Sequence, residues 1–129
     1  MATYTGALTG LADKLVVDTA ANTTEEERVT SADSGRMYIV QIDATAGSPT
    51  TDEPACYVKF ADAASITGGG GSSTVPSLVL YAPLGVITSY VISGGWPFSD
   101  GLSYWAVTTA EMAGDASPTA DIKVSIVSS

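Results

Sequence analysis

Asp121-Ile122-Lys123-Val124-Ser125-Ile126-Val127 alternates apolar and polar side chains without a break, so Ile122, Val124 and Ile126 share one face and Lys123 and Ser125 the other. This is a strand with one face on a core and one in water. Met37-Tyr38-Ile39-Val40-Gln41-Ile42-Asp43 repeats the pattern, with Tyr38, Val40 and Ile42 pointing one way and Gln41 and Asp43 the other. In Ala55-Cys56-Tyr57-Val58-Lys59-Phe60 the inward trio is Cys56, Val58 and Phe60, with Tyr57 and Lys59 opposite. Residues 77–81 are apolar on both faces, which predicts a central strand. Residues 86–92 and 103–109 add two more runs, the second carrying Tyr104 and Trp105 on opposite faces.

Between these runs lie clusters of Gly, Pro, Ser, Thr and Asp, the punctuation of turns. Helical spacing is scarce. In the first third, residues 14–18 read as a short strand and residues 27–30 as a second. The Thr24 and Glu27 spacing of a capping box offers one helical turn as the competing reading. The expected fold is all-β, an antiparallel β-sandwich or jelly roll of about seven to eight strands. Residues 1–12, whose bulky side chains are Tyr4, Leu8 and Leu11 alone, form an extended N-terminal arm ahead of a single domain spanning 13–129. If that arm is ordered, a neighbouring subunit or partner is the expected reason.

A chain of 129 residues has room for one core, with roughly two-thirds of its surface buried on folding. Fourteen acidic and five basic residues give a net charge of −9, and there is no histidine. Lys14, Arg28, Arg36, Lys59 and Lys123 are scattered singly, whereas electrostatic binding of nucleic acid needs clustered cations. Direct contact with nucleic acid or with an anionic membrane is therefore not expected. The N-terminus lacks a basic region followed by an apolar one, and residues 75–92 are broken by Pro, Gly, Ser and Thr short of a membrane span. The expectation is a soluble protein made in a cytoplasm.

No catalytic constellation is visible, and no catalytic, cofactor-binding or metal-binding residue is assigned. Cys56 sits at an inward position without a neighbouring cation to activate its thiol, and it reads as a small core residue. The run 68–71 is four glycines, but Ser72, Ser73 and Thr74 follow it where a phosphate loop needs lysine. Asp52, Glu53, Asp100 and Asp115 fall in loops and read as solvated, without the alternating spacing of a calcium loop. Without histidine and with one cysteine, transition metals lack ligands. Trp96, Trp105, Tyr104, Tyr90 and Phe98 could stack on sugar rings, but core packing or a subunit contact is the stronger reading. Residues 94–98 then form a bend whose rings plug one end of the sandwich.

The stretch Tyr90-Val91-Ile92-Ser93-Gly94-Gly95-Trp96-Pro97-Phe98-Ser99-Asp100-Gly101-Leu102-Ser103-Tyr104-Trp105-Ala106-Val107-Thr108-Thr109 resembles a pattern of small structural proteins of tailed bacteriophages. These carry a Pro-Phe-Ser-x-Gly-Leu-Ser core followed by an aromatic strand. Residues 37–43 resemble their strand ending in Ile-Asp, and Tyr57-Val58-Lys59-Phe60-Ala61-Asp62-Ala63 resembles their Tyr-x-Lys-x-x-Asp-Ala strand end. The resemblance covers residues 36–127. It implies a β-sandwich of the virion, a capsid cement or decoration protein without enzymatic activity. The implied partner is the major capsid protein on the outer shell, and the implied assembly is a homo-oligomer such as a trimer at threefold positions. The alternatives are another head or tail structural protein and a sugar-binding host-adhesion module using Trp96. Physically, Pro97 fixes a bend and Gly101 supplies a positive φ beside Asp100.

Overall fold

The computed structural model describes residues 2–5, 14–66, 74–111 and 116–129. Eight strands are formed among them: β1 (Ala2–Thr5), β2 (Lys14–Ala21), β3 (Gly35–Asp43), β4 (Ala55–Asp62), β5 (Leu78–Pro83), β6 (Ile87–Phe98), β7 (Leu102–Val107) and β8 (Ile122–Ser128). All ladders are antiparallel. They build a five-stranded sheet in the order β1-β2-β8-β3-β6 and a three-stranded sheet in the order β5-β4-β7. Among the described residues no helix is long and apolar enough to cross a membrane.

The two sheets pack face to face because each strand carries one apolar side. Val16 of β2, Met37, Val40 and Ile42 of β3, and Ile122, Val124 and Ile126 of β8 point inward from the larger sheet. Cys56, Val58 and Phe60 of β4 and Tyr104 and Ala106 of β7 meet them from the smaller one. The alternation in residues 121–127 therefore does what it predicts. In β3 it does so with a slip: a bulge between Met37 and Ile39 moves Tyr38 off the inward series and puts Met37 in its place.

β7 is buried at all six positions. Tyr104 faces the main core, where its ring packs on Phe60 at 5.7 Å, while Trp105 and Val107 join Ala61 and Ile66 in a second cluster on the far face. Inside the core the Tyr104 hydroxyl donates to Asp18 Oδ2 at 2.8 Å, a buried bond from one sheet to the other. Asp18 Oδ1 also accepts from the Ala20 N–H at 3.0 Å.

Several sequence expectations are corrected here. Residues 27–30 form neither a strand nor a helical turn. Thr24 N–H donates to Asn22 Oδ1 in a side-chain turn, Arg28 and Ser31 take positive φ, and only Glu26 pairs as a strand residue, with Tyr104. This segment lies along the outer edge of β7: Ala106 N–H donates to Asn22 O, Glu26 and Tyr104 exchange backbone bonds, and Val29 N–H donates to Leu102 O. An edge is thus covered without a regular strand. β5 is not central but the edge of its sheet, with Val79 and Tyr81 exposed. Its apolar outer face is uncovered surface, which a both-faces-buried reading could not distinguish from core. Residues 94–98 are not a separate bend; they continue β6 beyond a wide bulge, since Met37 pairs with Trp96 and Ile39 with Val91. A Cβ at Gly95, where φ is +79°, would lie 2.8 Å from both Arg36 Cβ and Tyr38 Cε1, so glycine is required there.

Of the arm, Ala2–Thr5 is extended and pairs with β2 of its own chain, and Ala2 N–H donates to Glu26 Oε1. Leu8, Leu11, the glycine run 68–71 and Asp115 lie outside the described residues.

Replacing the inter-sheet bond tests its weight. Tyr104→Phe leaves Asp18 Oδ2 without this buried donor and lowers stability by about 2 kcal/mol, which for a chain of this length is a fall of roughly 7 °C in Tm by calorimetry.

Candidate functional site

The two motifs that carry the resemblance meet in space. Asp62, the last residue of β4, turns its carboxylate onto the turn between β6 and β7. Its Oδ1 accepts from the backbone N–H of Asp100 at 2.7 Å, Ser99 at 2.9 Å and Gly101 at 3.3 Å. Its Oδ2 accepts from Ser99 N–H at 3.0 Å and from Ser99 Oγ at 3.3 Å. In return Ala63 N–H donates to Gly101 O at 2.9 Å, and Ser103 Oγ donates to Ala63 O at 2.7 Å. Gly101, with φ +148°, is where the turn re-enters the sheet. A Cβ there would lie 2.8 Å from Arg28 Cγ and 3.0 Å from the Ala63 carbonyl.

Burial alone raises the Asp62 pKa, but the backbone N–H groups of Asp100, Ser99 and Gly101 and the Ser99 hydroxyl together outweigh it and hold the carboxyl below its ordinary value. An open depression lined by Asp33, Asp62, Ala63, Ala64, Ser65, Ser99 and Asp100 lies beside it. Asp33 is ion-paired with Arg28, and both Asp62 oxygens accept hydrogen bonds. Among the described residues no group of three or more His, Cys, Asp or Glu side chains is placed to hold a metal ion.

Among the described residues, the other acids singled out from the sequence are not brought together across a cleft. Glu53 lies before the start of β4, where its carboxylate accepts from Thr119 N–H at 3.0 Å and from Thr119 Oγ1 at 2.9 Å. Asp100 lies past the other end of that strand, roughly 26 Å away for eight extended residues. Asp52 is exposed on the Glu53 side. Glu53 and Asp100 therefore do not face each other across a cleft at glycosidase spacing.

The rings are also structural. Tyr104 and Trp105 are fully buried, Phe98 nearly so, and Trp96 turns inward against the core with its ring 6.5 Å from that of Phe98. Tyr90 packs on the core and its hydroxyl donates to the Tyr81 carbonyl. Trp96 and Tyr90 are half-buried, and the other three are buried. Among the described rings the exposed one is Tyr81, paired with Tyr57 at 5.6 Å, which alternation alone did not single out.

Lys59 is fully buried on the far face of the smaller sheet, opposite Trp105 in the β4–β7 ladder, and its Nζ donates to the Glu111 carbonyl. Burial lowers its pKa, partly opposed by the Glu111 charge. The position was legible as outward from β4, but the covering of that outward face was not. Trp105 Nε1 and Thr109 Oγ1 are buried without a hydrogen-bond partner among the described residues. Cys56 is fully buried, and desolvation, reinforced by Glu53, pushes its thiol up to about 11 against the bond to its own backbone.

Comparisons with protein-family models, with curated proteins and with solved structures give no match.

Two outcomes follow from this geometry. Asp62→Asn loses the charge-assisted bonds to the turn and lowers stability at pH 7 by about 1 kcal/mol in urea unfolding. Because the folded carboxyl has the lower pKa, its contribution is complete above the unfolded value of about 3.9 and disappears as pH falls through the folded value. The gap between the two proteins therefore closes in acid. Cys56 remains unreactive toward an aromatic disulfide reagent in the native protein and titrates as one thiol per chain only after denaturation.

Proposed function

We propose that the chain is a non-enzymatic structural protein of a tailed-phage virion, a capsid cement or decoration protein made in the host cytoplasm and bound to the outer face of the shell through the major capsid protein. The observation that carries the reading is the concentration of uncovered apolar side chains where the two sheets meet at β5 and β6. Val79 and Tyr81 of β5 and Val86 of the connecting turn are exposed there, while Ile87 of β6, opposite Asp43, is exposed on the outer face of the larger sheet. β5 and β6 each end their sheet, so both bring a strand edge to this corner. A partner strand laid on such an edge gains backbone hydrogen bonds while its side chains cover the apolar corner.

The phage-like motif supports the same reading in a second way. Its parts Asp62-Ala63 and Ser99-Asp100-Gly101 interlock to brace the sandwich. Binding to assembled shells and not to free subunits then stabilises the shell by mass action. Several carboxylates, among them Asp52 and Asp100, lie in exposed loops, where they repel the packaged genome's phosphates.

Co-sedimentation with empty shells tests the proposal. The wild-type chain pellets with shells to a saturating ratio and raises their temperature of disruption, and Tyr81→Asp with Val86→Asp weakens that binding by at least tenfold, about 1.4 kcal/mol. A wild-type chain that stays in the supernatant at every ratio contradicts it. A chain that instead binds a glycan array, and loses that binding in Trp96→Ala, transfers the function to host adhesion.

A further inference from the structure

The outer face of the five-stranded sheet carries an apolar row that the sandwich does not use. Leu15 of β2 stands opposite Val127 of β8, Val127 opposite Ile39 of β3, and Ile39 opposite Val91 of β6. Directly opposed residues of a ladder project from the same face, so these four side chains form one line across four strands. Leu15 and Ile39 are each 38% exposed and Val91 is 80% exposed.

The same face is set apart by charge. Outward positions of the paired strands hold two cations, Arg36 and Lys123, and one acid, Asp43, so the face sums to +1 on a chain of −9. Asp121 stands just outside the ladder. Arg36 Nη1 donates to the carbonyls of Gly94 at 3.0 Å and Gly95 at 3.4 Å, which holds the guanidinium at one side of the row. Asp43, on the other side, is fixed by Thr45, whose N–H donates to its Oδ1 at 3.0 Å and whose hydroxyl also donates to it.

We propose that two copies of the chain pack on each other through this face, about a two-fold axis lying along the apolar row. Such an axis lays the row on itself and runs β3 antiparallel to its counterpart. Arg36, three residues before Ile39, then comes over Asp43 of the other copy, four residues after it, and symmetry makes the pair twice. Two-fold contacts through more acidic surfaces set carboxylates against their own copies, which a chain of −9 disfavours. Five strands of about seven residues give a face roughly 24 Å by 23 Å. With side-chain relief, that approaches the ~800 Å² that each partner contributes to a standard interface. Sheets so stacked lie about 10 Å apart with strands offset by about 30°. Ile87, opposite Asp43, shares this face, whereas Val79 and Tyr81 of β5 belong to the other sheet and lie outside the contact. The biological use of the pair rests on the many-copy reading above, and it makes a two-fold pair, not a trimer, the unit.

Sedimentation velocity of the full chain over roughly 1–100 µM, the span of a micromolar contact, tests this. The expected result is a shift to twice the chain mass with rising concentration. Val91→Asp and Ile39→Asp each raise the dimer Kd at least tenfold while the far-UV circular dichroism is unchanged. Arg36→Asp weakens pairing, and adding Asp43→Arg to it restores pairing. A wild-type chain that is monomeric throughout overturns the proposal. So does an assembly larger than two, a dimer indifferent to Val91→Asp and Ile39→Asp, or a double variant no better than Arg36→Asp. A monomer that still pellets with shells refutes the pairing alone, and a dimer that never pellets refutes the shell reading alone.

Discussion

The hydrogen bond from Tyr104 to Asp18 joins the two sheets inside the core, and the rest of the molecule is arranged so that it can exist. A buried carboxylate is costly unless its oxygens are satisfied, and here one oxygen takes the tyrosine hydroxyl and the other the Ala20 amide. Desolvation and the Asp18 charge in turn drive the phenol pKa well above its ordinary value, which favours the protonated, donating form of Tyr104. The backbone of the same residue exchanges two bonds with Glu26, which draws residues 22–29 along the β7 edge. The Asp62 cap then fixes the turn that delivers β7 into this position. One strand, buried on both faces and held on both edges, is therefore what registers the larger sheet against the smaller.

Much of this was legible in the residues. The alternation in residues 121–127 and 56–60 assigns the inward faces correctly, because a strand's side-chain period of two leaves no freedom once one face is buried. The positive φ of Gly101 was readable from its place beside Asp100. What escaped was set by tertiary partners. The bulge in β3 exchanges Tyr38 for Met37, and a bulge has no period. β5 looks central by composition and is an edge, because an exposed apolar face and a buried one are written with the same residues. Residues 27–30 are too polar to show that they serve β7. Lys59 reads as a surface cation, yet the far face of its sheet is covered.

Four polar or ionisable side chains are committed to structure. Asp62 closes a turn, Glu53 holds Thr119, Lys59 holds the Glu111 carbonyl and Cys56 fills the core. Among the described residues the fold leaves apolar surface uncovered at the β5–β6 corner and in the row across the larger sheet, besides Val75. The proposed role assigns the first to the shell and the second to another copy. Both proposals draw on apolar side chains that the fold leaves exposed.

The most direct test of binding through surface, with no chemistry involved, is amide hydrogen exchange of the full chain, free and bound to empty shells, read by mass spectrometry. The account predicts slowed exchange on binding in β5, the 84–86 turn and the first half of β6, with β7 protected equally in both states. Slowed exchange confined to the Asp62 and Ser99–Gly101 turn, or no change anywhere in a shell-bound chain, would contradict it.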